Sequence, residues 1–355
     1  MNIALIYYRI TLRGGLETRL INYTNYLSEQ GHNVSIICAQ NKGEVTFPST
    51  VKIIQLPIRI VPKPLRMLAF NIRLKQYFKN NKFDFTFSLG RTFYQDAVLA
   101  PSNHEGYLRA MNKSGRRVLD VVEHYLDKKT CEHNDLIFAA SSMIKDEMIA
   151  YYQANPDHVH VLFPPLNVKH FARISEAKRH ELRSTHGIKP STKVFAFVSA
   201  SHKRKGLDIL LKAFERLRAE DVLLLIAGYP AVKTDLPNVR FLGFLEHPAI
   251  IYHVADFTLH PARYEPYGQI ISESLACATP VIVSDRVGAK EIVTSNVGRV
   301  LQTLNPKDWA DMIVDIQPSD FSIPEDFVYQ NELSLSQHME KLLRISNNKI
   351  LNNQD

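Results

Sequence analysis

Cysteine is scarce in these 355 residues: Cys38, Cys131 and Cys277 are odd in number, far apart and without metal-ligand spacing. That excludes a disulfide framework and a cysteine zinc site, and it suits a reducing compartment. No apolar run reaches the length of a membrane span. The opening MNIALIYYR lacks a basic leader and reads as a first strand, not as a signal peptide. No two glycines stand one residue apart, so the G-x-G-x-x-G dinucleotide fingerprint cannot be written anywhere. That counts against a nicotinamide-dependent oxidoreductase. No Asp-x-Asp pair is present to hold Mg²⁺ or Mn²⁺. Acidic residues are missing altogether between Glu44 and Asp84.

What is present is basic and unevenly placed. The net charge is +7, and the acid-free stretch carries Lys52, Arg59, Lys63, Arg66, Arg73, Lys75, Lys79 and Lys82. Arg109, Lys113, Arg116 and Arg117 form a second group. Such a surface is either a solubility feature or attractive to an anionic partner, phospholipid or a phosphorylated acceptor. Nucleic acid is not expected, because no RNA- or DNA-binding motif accompanies the charge.

Hydrophobic patterning predicts two α/β halves. Asn2 to Tyr8 is a strand, followed by a loop to Arg13. Gly14-Gly15 then opens a helix with Leu16, Leu20, Tyr23 and Leu27 on one face, closed by Gly31, and Val34 to Ala39 is the next strand. Further strands are expected at 51–56, 83–89, 97–100, 136–140 and 158–163. Helices are expected at 65–79, 119–128 and 142–152. Asp96 and the segment Ser102-Asn-His-Glu105 fall in loops. Pro164-Pro165 marks the boundary, giving domains 1–164 and 165–331, with a last helix near 332–346 that packs back on the first. The second half restarts with a strand at 193–199 and the loop Ser201-His-Lys-Arg-Lys-Gly206. A helix from Leu207 and strands at 222–227 and 239–243 follow, the latter ending at Gly243-Phe244. The tail 347–355 reads as frayed.

The segment RYEPYGQIISE, residues 263–273, is the richest in chemistry. A buried strand at 256–261 precedes it and another at 279–284 follows. Glu265 therefore sits in a strand-to-helix loop, Gly268 at the helix start and Glu273 about one and a half turns in. A helix N-terminus offers free N–H groups and partial positive charge to a phosphate. Carboxylates before and within that helix can accept hydrogen bonds from two sugars on either side of a diphosphate. Arg204 and Lys205, just before another helix, suit a diphosphate clamp.

Glu265, Pro266, Gly268, Glu273 and the terminal Thr279-Pro280 resemble the E-x7-E signature of retaining GT-B glycosyltransferases of family 4. Gly14-Gly15 and Arg204-Lys205-Gly206 match in order and context. Within the family the lipopolysaccharide-core glucosyltransferase branch that modifies heptose is similar at Gly14-Gly15-Leu16, the Asp96 loop and Leu259-His260-Pro261-Ala262. The resemblance implies two doubly wound Rossmann-like domains facing across a cleft. It implies metal-independent, cofactor-free transfer of a hexose from a nucleotide diphospho-sugar, UDP favoured, to a saccharide or lipid-linked acceptor in surface polysaccharide synthesis. Donor contacts would come from Gly14, Gly15, Arg204, Lys205, Gly243, Phe244, Glu265, Tyr267, Gly268, Gln269, Ile270 and Glu273, with the cations neutralising the leaving diphosphate. Asp96 or His104 would handle the acceptor proton. The enzyme would work in the cytoplasm, peripherally on the inner face of the membrane. The rival readings are a nucleotide-sugar epimerase of like architecture and a non-catalytic protein that binds anionic surfaces.

Overall fold

The structure, a computed structural model, describes residues 1–11, 14–58 and 60–352, with side chains described to 347. Arg13 of the first loop, Arg59 of the basic run and the last residues of the tail lie outside the described residues. The chain forms two compact units, Met1–Phe163 with the segment from Leu335, and Pro164–Ser334.

The first unit is a seven-stranded parallel sheet in the order Lys52–Gln55, Asn33–Cys38, Asn2–Ile6, Phe85–Ser88, Ala97–Ala100, Ile137–Ala139, Val159–Val161. Its central strands read as continuous apolar runs because helices cover both faces. Ile3, Ala4, Leu5 and Ile6 are all buried. The helix Gly15–Glu29 covers one face through Leu20, Tyr23 and Leu27, and the helix Arg66–Asn80 covers the other through Phe70 and Leu74.

The C-terminal helix Leu335–Asn352 returns to this unit, packing Met339 and Leu342 into its core. A buried polar chain anchors it. His338 Nδ1 lies 2.7 Å from the Phe163 carbonyl, and its Nε2 meets the Tyr23 hydroxyl. Burial, with Arg19 nearby, pushes the His338 imidazole down to about 3, so the ring is neutral.

The second unit is a six-stranded parallel sheet in the order Val239–Gly243, Val222–Gly228, Lys193–Ser199, Phe257–His260, Val281–Ser284, Gly298–Leu301. Phe195, Phe197, Phe214, Phe257 and Trp309 fill its core.

Among the described residues five helices escape the sequence patterning, one of them the single turn Phe327–Gln330. His104–Ala110 and His202–Lys205 fall where loops are expected, and Glu176–Thr185 and Ala249–Val254 are unassigned by it. The first is capped by Asn103, whose side chain accepts from the Gly106 amide. The second is a single turn ended by Gly206 at φ 81°. Such short helices carry too few apolar repeats to show a period. Among the described residues no helix is long and apolar enough to cross a membrane.

Candidate functional site

In parallel sheets ligands collect at the carboxyl ends of the strands. In the second unit the strand Lys193–Ser199 runs out into the turn His202–Lys205, and its neighbour Phe257–His260 runs out into the loop holding Glu265. The loop and the turn are fastened together. The Arg263 amide donates to the Arg204 carbonyl at 2.8 Å, and Arg204 Nη1 donates to the Tyr264 carbonyl at 2.8 Å. Arg263 also reaches the Lys203 carbonyl and both oxygens of Asp208. Gly206 allows the approach, since a Cβ there would stand 2.0 Å from the Pro261 carbonyl oxygen.

Three side chains converge on Glu265. Arg204 Nη1 is 3.1 Å from Oε1, Lys205 Nζ is 3.7 Å from Oε2 and His260 Nε2 is 3.3 Å from Oε2. Glu265 is only 8 % exposed. Burial by itself would raise its pKa, yet Lys205, His260 and Arg204 together hold it well below the usual carboxylate range. Glu273 behaves oppositely. Burial pushes its carboxyl up, against the Tyr252 hydroxyl that donates to Oε2 at 2.7 Å and the charge of Lys205. Between the two carboxylates the helix Gln269–Ala276 begins after Gly268, whose φ is 98°. The loop and the turn together therefore present an ionised carboxylate, two cations and a helix N-terminus.

The remaining expected donor residues divide. Ile270 is buried and can offer only its amide. Tyr267 is buried and its hydroxyl pairs with Ser272 Oγ at 2.7 Å, so its ring packs inward instead of facing a ligand. Gln269 reaches the Pro165 carbonyl at 3.4 Å. Gly243 and Phe244 end the edge strand, two strands away from Lys193–Ser199, and the Phe244 ring is exposed. Gly14 and Gly15 belong to the first unit, where Gly14 at φ 121° caps the helix Gly15–Glu29.

Asp96 needs correction. It precedes the strand Ala97–Ala100, and its carboxylate accepts from the amide and hydroxyl of Thr86, near the start of Phe85–Ser88. It lies at the amino edge of the sheet, away from the ends where ligands collect, and serves to tie two strands.

His104 starts a helix at the opposite, carboxyl edge. Its Nε2 is 3.0 Å from Asp120 Oδ1, and its amide donates to Asp127. A cavity of about 380 Å³ opens nearby, lined among others by Tyr7, Arg9, Glu17, Arg91, Asn103 and Asp127. Arg91 and Asp127 carry no motif, and His260 and Arg263, though they fall within the segments 259–262 and 263–273, are not among the expected site residues. Among the described residues no group of three His, Cys, Asp or Glu side chains is placed to hold a metal ion.

Known proteins agree with this architecture from end to end. The profile of Glycosyltransferase Family 4 matches residues 13–170, and that of Glycosyl transferases group 1 matches residues 178–329. This chain is built as a group 1, family 4 GT-B glycosyltransferase. A probable transglycosylase of Burkholderia thailandensis is 27% identical over 82% of this chain and 80% of its own length. A D-inositol 3-phosphate glycosyltransferase of Corynebacterium diphtheriae is 28% identical over 62% of this chain, which spans 58% of that relative. Among solved structures, WaaG, a glycosyltransferase involved in lipopolysaccharide biosynthesis, shares the fold with a TM-score of 0.70 at 18% identity. The match covers 95% of this chain and 93% of WaaG. Anabaena HepE in complex with UDP-glucose superposes with a TM-score of 0.71 at 15% identity, over 98% of this chain and all of that one.

Proposed function

We propose that this glycosyltransferase moves a hexose from a UDP-sugar, or another nucleotide diphospho-sugar, to a saccharide or lipid-linked acceptor, with retention of configuration and without a metal ion. The observation that carries the reading is the convergence of Arg204 and Lys205, from their own turn, on Glu265, whose loop leads directly into a helix N-terminus. A diphosphate seated there meets two cations and the first amides of the helix, which stabilise the negative charge that grows as the sugar leaves. Glu273, with one oxygen already fixed by Tyr252, offers the other to the ribose. Glu265, kept ionised, accepts from the hydroxyls of the transferred sugar. HepE, with its UDP-glucose complex, supports the choice of UDP.

Acceptor recognition falls to the first unit and its cavity. His104 is the candidate for the acceptor proton: with Nε2 turned to Asp120, Nδ1 is the nitrogen left to receive it. Val118, Leu119, Val121 and Tyr125 stand exposed on the helix Val118–His133, directly after Arg116 and Arg117. Apolar side chains beside cations support peripheral attachment to an anionic membrane surface on the cytoplasmic side.

Titrating the protein with UDP and GDP by calorimetry, with and without EDTA, tests the donor reading. Binding of one nucleotide that survives EDTA supports it. An absolute need for divalent metal would overturn the role given to Arg204 and Lys205. Release of free nucleotide from UDP-glucose, without conversion to an epimer, separates transfer from epimerisation.

A further inference from the structure

Glu265 has one uncharged partner. His260 is the last residue of the strand Phe257–His260 and is 0% exposed, with Nε2 turned to Glu265 Oε2. Its other ring nitrogen, Nδ1, is buried without a hydrogen-bond partner. That geometry selects the protonation state. A neutral ring with its proton on Nδ1 would bury an unpaired N–H and turn a lone pair toward a carboxylate. A doubly protonated ring would bury the same unpaired N–H and add charge beside Arg204 and Lys205. The state left is the neutral tautomer with its proton on Nε2, donating to Glu265. Burial lowers the His260 pKa, and the two cations act in the same direction.

With no ligand bound, Arg204 and Lys205 spend their charge on Glu265. An arriving diphosphate competes for those same cations, and their hold on the carboxylate weakens at the moment it must meet the sugar. His260 carries no charge to be drawn away, and packing fixes its ring. We propose that His260 is a positioning residue that keeps Glu265 oriented and ionised once Arg204 and Lys205 turn to the diphosphate. This deepens the donor reading given above and rests on it.

The test compares His260→Phe with His260→Gln, using UDP-glucose as donor, nucleotide release as the assay and calorimetry with UDP for binding. His260→Phe keeps a ring of similar size and removes the orphan nitrogen, so its Tm should match wild type or exceed it. Its kcat should fall roughly tenfold or more, while the Kd for UDP changes less than about twofold. The groups facing Glu265 are Arg204, Lys205 and His260, and Glu273 shares the field of Lys205. Losing the neutral donor should therefore raise the acid limb of the kcat–pH profile by about one unit. His260→Gln restores an N–H donor and should recover most of the turnover and the original limb. Wild-type kcat and an unmoved acid limb in His260→Phe would overturn the proposal. So would equal damage in both variants with a shared loss of Tm, which marks a packing role alone. Failure of the wild type to bind UDP or GDP would overturn the donor reading, and this proposal with it, before any variant is made.

Discussion

Each unit buries a carboxylate against an arginine, and the two are used in opposite ways. Asp127 in the first unit accepts from Arg91 Nε at 2.5 Å, the His104 amide at 2.7 Å and the Tyr152 hydroxyl at 3.2 Å. Arg91 turns its other side to Glu123. Most of its acceptor capacity is taken by the protein itself, although Asp127 also lines the cavity of this unit. Among the described residues the Glu265 carboxylate in the second unit is held by side chains, at 3.1 to 3.7 Å, reaching in from a strand end or from a single helical turn. Charge held loosely can be redirected to a substrate, whereas the tightly held pair fastens the Arg91 loop to the helices that carry Asp127 and Tyr152.

Acid should separate the two units first. His338 in the first unit is neutral with its pKa near 3, while an unfolded histidine titrates near 6.5. Between those values the unfolded chain binds more protons, so stability falls as pH drops, by about 3–5 kcal/mol over the window. Glu265 has a depressed pKa, so its contribution is intact above about pH 4.3 and is lost only as pH falls further. Hydrogen exchange resolved by unit, from pH 7 to 4, should show the first unit loosening, with a smaller loss in the second, where the buried His260 is also held below the ordinary histidine value. His338→Phe should flatten that slope, and an unchanged slope would remove His338 as its source.

Substitution tests the comparison directly. Asp127→Asn leaves Arg91 with Glu123 as its one carboxylate partner and weakens the acceptor for the His104 amide and the Tyr152 hydroxyl, and should cost about 1–3 kcal/mol in urea unfolding. Glu265→Gln should cost much less and yet remove turnover. Equal losses of stability would erase the distinction between a tying carboxylate and a working one.

Arg204→Ala or Lys205→Ala should raise the barrier to transfer by about 3–4 kcal/mol, a turnover loss of a hundredfold or more, with a smaller loss in UDP affinity. A variant hurt in binding and turnover alike would show that the cations serve the ground state. Glu273→Ala should weaken nucleotide binding by about 1.5–3 kcal/mol, read by calorimetry. Unchanged affinity would take Glu273 out of the site.

The smallest effect concerns the basic surface of the first unit, where each cation near an anionic leaflet contributes about 1 kcal/mol. Vesicle co-sedimentation should show binding to anionic but not zwitterionic lipid, reversed by salt. Val121→Ser with Tyr125→Ser should weaken it further. Equal partitioning to both lipids, or to neither, would leave the basic run as a solubility feature.

The parallel α/β class was legible in the sequence. A strand covered on both faces must be apolar throughout, and the runs at 2–8, 34–39, 193–199 and 222–227 can be read without neighbours. The Glu265 to Glu273 loop was legible for a related reason: strand, loop, helix and strand follow one another locally. What the linear order hides is distance. Arg204 and Glu265 meet because Lys193–Ser199 and Phe257–His260 are adjacent in the sheet, although two strands intervene in sequence. Asp96 and His104 are eight residues apart and both polar, so sequence treated them alike. Only the direction of the strand Ala97–Ala100 sends them to opposite edges of the sheet. His260 stood in the segment 259–262 that carries the resemblance, but no role could be read for it, because a histidine at a strand end is meaningful only when burial strips one ring nitrogen of partners and aims the other at a carboxylate. Periodicity and turn chemistry are local and can be read from the chain. Burial and charge pairing depend on which strands become neighbours, and folding alone decides that.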